Sequence, residues 1–189
     1  EKKLAAARAK AAAADAKRKE AEAKVIVAPQ RAFVGPDGRL DMPKLLNAFA
    51  AFWREHGQAL ARRMPYHEVA PQLVLMAFLQ RVVNSGGYVD REYGVGRGRI
   101  DLLVRWPLPD AVSPRQWQRE ALELKVWRDD RSDPRAEGLE QIDAYLTELG
   151  LEHGVLVVFD RRTGIPPARE RTRFEEAATA GGRAVTVLR

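Results

Sequence analysis

Two short apolar runs carry charge where a folded chain tolerates it least. Ala121-Leu122-Glu123-Leu124-Lys125-Val126-Trp127 places a carboxylate and an ammonium inside an apolar stretch, and Arg99-Ile100-Asp101-Leu102-Leu103-Val104 does the same with one acid. Both runs are rich in Leu, Val and Ile and are bounded by turn residues, a pattern that predicts β-strands. A charge in the middle of a core strand is costly unless it is paired or binds a metal. Side chains alternate along a strand, so Ala121, Glu123 and Lys125 share one face, taken as open, and Leu122, Leu124 and Val126 the other. If the two strands are neighbours, Asp101 and Glu123 converge on a single cation. Two hard oxygen ligands suit Mg2+ or Mn2+. Lys125 then reaches a water or phosphate oxygen at that ion, and the set supplies what phosphodiester hydrolysis needs. The plain alternative is a Glu123–Lys125 ion pair on a half-exposed strand, with Asp101 capping a turn.

The rest of the chain supplies the frame. Residues 1–24 are mostly Ala, Lys, Arg and Glu, strong helix formers with no apolar stripe. They predict a solvated helical arm, linker or coiled-coil end, with DNA contact as the sharper alternative. Residues 25–65 form a connector and a helical segment. Asp41 and Pro43 start a helix there, Leu45, Leu46, Phe49, Phe52 and Trp53 follow at helical spacing, and Gly57 is expected to bend or break it. A helix opening at Tyr66-His67-Glu68 follows, with Glu68 near its positive end; His67 reads as structural. Tyr88–Tyr93 reads as an edge or second strand. Gly94–Arg99 is a glycine-rich connection with no helix after it, and so not a dinucleotide fingerprint.

Downstream, Asp129 and Asp130 read as solvated loop acids. Asp133-Pro134 starts a helix carrying Gln141 and Tyr145 one turn apart. Gly154–Asp160 is a continuous apolar strand, and Ala184–Leu188 is the last strand. Arg161, Arg162, Arg169, Arg171 and Arg173 fall in a loop and short helix, where phosphate contact and plain solubility weigh equally. Alternating strands and helices give an α/β domain with a central mixed sheet, and residues 36–63 pack in front of it as a helical extension.

Composition narrows the function classes. The chain has 189 residues and no cysteine, so disulfides and thiolate metal sites are excluded. No apolar run approaches the length needed to span a bilayer and no secretory signal is visible, so a cytoplasmic protein is expected. The chain begins with Glu, and a larger multidomain parent or a homo-oligomer is an expected context. Net charge is +6, which favours a polyanionic partner. Residues 1–24 hold eight Lys and Arg against four acids, so they carry four of those six charges.

Asp101 followed by Glu123-Leu124-Lys125, each on an apolar strand, resembles the core motif of the PD-(D/E)XK nuclease superfamily. Gln141-Ile142-Asp143-Ala144-Tyr145 is similar to the Gln-x-x-x-Tyr element of several branches, and Glu68 to the acid many members carry on the first core helix. The likeness spans residues 66–189. One departure is Ile100 where the motif has Pro before the acid. The resemblance implies a restriction-endonuclease-like sheet flanked by helices and a Mg2+- or Mn2+-dependent nuclease, with DNA a more natural substrate than RNA. It implies Asp101 and Glu123 as metal ligands with the Leu124 carbonyl as a third, Lys125 as the group that orients or activates the attacking water and meets developing phosphate charge, Glu68 as an auxiliary acid at that metal or a second one, and Gln141 as auxiliary. Arg97, Arg99 and Tyr145 lie where nucleic acid would pass, and Tyr145 would brace the Lys125 strand. A fold of this kind can also serve a larger protein as a non-cutting module that binds nucleic acid or protein.

Overall fold

The computed structural model describes residues 32–63, 70–83, 86–95, 98–109 and 116–189. The Ala-rich arm, the connector after it, His67, Glu68 and Arg97 lie outside the described residues.

A tight turn at Pro36-Asp37-Gly38 leads into helix α1, Met42–Arg63. Gly38 has φ 74°, the left-handed conformation that glycine adopts without cost. The Asp41 carboxylate accepts the Lys44 N–H at 2.9 Å, as an N-cap should. The expected break at Gly57 does not occur: α1 runs through it. Gly57 instead leaves room for Trp53 one turn earlier, because a Cβ there would stand 2.6 Å from the indole. Helix α2 spans Ala70–Val83.

Strands β1 (Tyr88–Val95), β2 (Gly98–Pro107) and β3 (Trp117–Trp127) form an antiparallel meander. Helix α3 (Arg135–Leu149) crosses to β4 (His153–Asp160), which lies parallel to β3. A short helix α4 (Ala168–Arg171), β5 (Phe174–Ala178) and β6 (Ala184–Leu188) follow. The six-stranded mixed sheet has the order β1-β2-β3-β4-β6-β5, with β6 parallel to β4 and β5 antiparallel to β6. The molecule is thus α/β, with helices on both faces of one sheet. Strand β5, Phe-Glu-Glu-Ala-Ala, follows the arginine-bearing loop and short helix and is not predicted as a strand by the sequence pattern. Glu and Ala are depleted in strands, but an edge strand needs only one partner.

Two apolar layers sandwich the sheet. Leu45, Leu46 and Phe49 of α1 and Leu75 and Leu79 of α2 pack on Leu102, Leu122, Leu124, Val157 and Phe159. Phe159 meets Phe49 edge-on at 6.4 Å and Trp53 at 5.1 Å. Helix α1 therefore shares one core with the sheet, and each such side chain contributes about 1.5–3 kcal/mol of burial. On the other face, Ile142 and Leu146 of α3 pack on Ile100, Leu103, Ala121, Leu156 and Val185. Gly138 lets α3 approach closely, since a Cβ there would lie 2.6 Å from Leu156. Among the described residues no helix is long and apolar enough to cross a membrane.

Candidate functional site

The site forms where the meander opens. The ladder between β2 and β3 ends at Leu102–Leu122. One residue further, the Asp101 carboxylate takes over from backbone pairing and accepts the Leu124 N–H at 2.8 Å. The period of two also fails here: Ile100 faces α3, whereas Leu102 faces α1 and α2. Beside Asp101, on β1, Glu92 has φ 50°, the left-handed region, unlike every other described non-glycine residue. Such a conformation costs about 1–3 kcal/mol and clusters at functional positions.

Glu123 lies on the α3 side of β3 and is only 4% exposed. One carboxylate oxygen is 3.1 Å from Lys125 Nζ. The other, Oε2, is buried and has no hydrogen-bond partner among the described residues. Burial, and then the neighbouring charge of Asp101, push the Glu123 carboxyl up to about 7. Burial also raises the Asp101 carboxyl, against the opposing pull of the Leu124 N–H and Lys125.

Lys125 is held from three sides. Its ammonium donates to Glu123, to Glu137 at 3.2 Å and to the Gln141 carbonyl oxygen. Burial works against its charge, but the Glu123 and Glu137 carboxylates outweigh it and the pKa is raised. Gln141 also donates to Glu137 at 3.2 Å. Glu137, Gln141 and Tyr145 are spaced four apart, so α3 presents them as one stripe. The face expected to be open is therefore lidded by a helix with polar side chains.

The structure brings together Asp101, Glu123, Lys125 and Gln141. Tyr145 is placed differently from expectation. Its ring packs over Gly98 at the start of β2, where a Cβ would lie 2.8 Å from Cε1, and its hydroxyl meets the Arg99 backbone. It braces the Asp101 strand rather than the Lys125 strand, because α3 has crossed β3 two turns after Glu137. Burial, then Glu123, raises its phenol pKa. Arg99 is exposed and pairs with Glu92 at 3.5 Å. Asp129 accepts from the Thr163 N–H and hydroxyl at 3.0 Å each, and Asp130 faces Arg128 at 3.6 Å; both stay out of the site.

Two neighbours were not anticipated from the sequence. Glu137 is one. Gln72 is the other: it lines a cleft of about 640 Å³ with Leu124, Lys125, Arg128, Arg131 and Glu137. Gln72 also lines a depression of about 50 Å³ with Arg91, Glu92 and Asp101. Both residues sit four positions from one that was singled out, Gln72 from Glu68 and Glu137 from Gln141, and helical spacing was the signal. Among the described residues no group of three or more His, Cys, Asp or Glu side chains is arranged to hold a metal ion. The donor set nonetheless fits a hard cation: two carboxylates, one with an orphaned buried oxygen, beside a cleft with room for the waters that Mg2+ retains.

Compared with known proteins, the chain matches no family model, no curated protein and no solved structure.

Proposed function

We propose that this protein is a divalent-metal-dependent nuclease with a restriction-endonuclease-like fold, a member of the PD-(D/E)XK superfamily acting on nucleic acid, DNA before RNA. The observation that carries the reading is the orphaned oxygen of Glu123, buried next to Asp101 with Lys125 on the same face. An unsatisfied buried acceptor costs about 1–3 kcal/mol. A fold that keeps one at the parting of two strands gains something else from it, and a bound cation is the simplest compensation.

Asp101 and Glu123 would hold Mg2+ or Mn2+, with Glu68 as an auxiliary acid. The ion would neutralise phosphate charge and acidify a bound water. Lys125 stands two residues beyond the carboxylate and carries the proton-bearing group that can orient that water or meet charge on the phosphate. Gln141 and Glu137 fix its direction. All three ammonium donors are engaged, so Lys125 must release one partner to act. Glu137 is the inexpensive one, since its side chain is 63% exposed. Arg99, exposed and paired with Glu92, would meet the strand's phosphates.

The same engagement favours a second reading, a silent nuclease-fold module that binds nucleic acid or protein without cutting. Calorimetric titration with Mn2+ separates the two. Binding by the wild type that is abolished in Asp101→Asn and Glu123→Gln, with circular dichroism unchanged, is expected for the nuclease. No binding by the folded wild type would favour the module.

A further inference from the structure

A second cluster of charge sits at the far end of β3. A cavity of about 560 Å³ is lined by Trp127, Asp160, Arg162, Arg171, Arg173 and Arg189, among others. Trp127 is two residues past Lys125 on one strand, about 7 Å further along it. The surrounding segments 133–135 and 160–175, with Arg189, hold seven arginines against four acids, an excess of three positive charges.

Pairing within the cluster is incomplete. Arg162 takes both oxygens of Asp160, at 3.0 and 2.8 Å, and its guanidinium carbon stands over the Trp127 ring, 3.4 Å from the ring centre. Arg189 pairs with Asp133 at 2.8 Å and lies 5.2 Å from the same ring. Arg171 is left with a 3.4 Å contact to the Asp160 oxygen that Arg162 already holds, and its buried Nε has no hydrogen-bond partner among the described residues. Arg173 is largely exposed, and among the described residues its side chain pairs with Glu175, at 2.9 Å. A cluster built only to close the chain would balance its charges. This one holds two guanidinium groups rigidly and leaves a third short of acceptors, the arrangement that suits a multidentate oxyanion.

We propose that this pocket is a phosphate-binding subsite that holds the backbone of a nucleic-acid strand beyond the candidate cleavage centre. The phosphate chemistry stands on the arginines; the nucleic-acid source rests on the nuclease reading. The subsite would position a strand already threaded past Lys125, with Arg171 and Arg173 as the groups whose loss is felt most.

The test is binding without catalysis. Full-length protein in EDTA is titrated against a fluorescein-labelled 12-nucleotide single strand by anisotropy at several salt concentrations. Arg173→Gln, Arg171→Gln/Arg173→Gln and, as a charge control at the opposite end of β3, Arg119→Gln are compared with the wild type. The double variant is expected to bind at least tenfold more weakly, with a salt slope reduced by roughly 1 to 1.5, as for two lost phosphate contacts. The exposed single variant should lose about half of that slope change, and the control should match the wild type. Wild-type affinity in both Arg173→Gln and the folded double variant would overturn the subsite, as would loss of binding equal in the control. Inorganic phosphate is titrated in parallel by tryptophan fluorescence. Saturable binding of phosphate without strand binding would overturn the nucleic-acid assignment and make the occupant a small phosphate. Because metal is absent throughout, strand binding is read apart from cleavage: a wild type that binds the strand here but does not cut it once Mg2+ or Mn2+ is added would refute the nuclease and leave the subsite standing.

Discussion

Glu123→Gln should stabilise this protein at alkaline pH. In the folded state the Glu123 carboxyl is carried from its ordinary 4.5 to about 7, first by burial and then by Asp101. The native state therefore holds this proton more tightly than the unfolded chain. Stability from that proton is complete below pH 4.5 and is lost as pH rises through 7. Moving the carboxyl that far corresponds to about 3 kcal/mol. Glutamine keeps the shape, never ionises, and can donate from the position of the orphaned Oε2. Without metal, the variant should unfold within about 1 kcal/mol of wild type at pH 5 and be about 2–3 kcal/mol more stable at pH 8.5, roughly 5–10 °C in Tm. Urea denaturation with EDTA at both pH values measures this. Adding Mn2+ at pH 8.5 should reverse the order, because only the wild-type carboxylate gains a cation. A variant that is less stable than wild type at pH 8.5 in EDTA would refute the reasoning, since the ionised Glu123 would then be a net stabilising partner of Lys125.

Three further outcomes follow from the packing. Gly138→Ala forces a Cβ to 2.6 Å from Leu156; overpacking of about 1–3 kcal/mol should outweigh the roughly 1 kcal/mol helix gain, and a raised Tm would contradict the close approach of α3. Phe49→Ala should cost about 3–5 kcal/mol in a single unfolding transition, whereas two separate transitions would contradict a core shared by α1 and the sheet. Glu137→Ala should change stability by less than about 1 kcal/mol, because the Glu137 carboxylate is itself largely exposed. It should also leave nucleic-acid cleavage within a few-fold of wild type; a loss as large as that of Lys125→Ala would give Glu137 a direct part in the chemistry.

The candidate site was legible because its signal is local. Asp101, Glu123 and Lys125 are charges in apolar strands, and the alternation that places Glu123 beside Lys125 needs no tertiary information. The plain alternative was legible in part: the Glu123–Lys125 pair forms but is mostly buried rather than half-exposed, and Asp101 accepts the Leu124 N–H of the neighbouring strand instead of capping a turn. What was hidden depends on what crosses the strands. Gly57 reads as a breaker until Trp53 fills its space. Phe174–Ala178 has poor strand propensity and pairs only because β6 offers an edge. Tyr145 points at β2 rather than β3 because of the crossing of α3, which helical spacing cannot reveal. Glu137 looks like an ordinary first-turn acid, and its reach to Lys125 is a consequence of the same crossing.

The central claim is a metal-dependent cut made through Asp101, Glu123 and Lys125. Incubating the full chain with mixed single- and double-stranded DNA and RNA in Mg2+ or Mn2+, beside Asp101→Asn, Glu123→Ala and Lys125→Ala, tests it directly. Metal-dependent cleavage by the wild type, reduced at least about 100-fold in each folded variant, is the predicted result. Equal cleavage by all four proteins, or none by a wild type that binds neither metal nor strand, would contradict it.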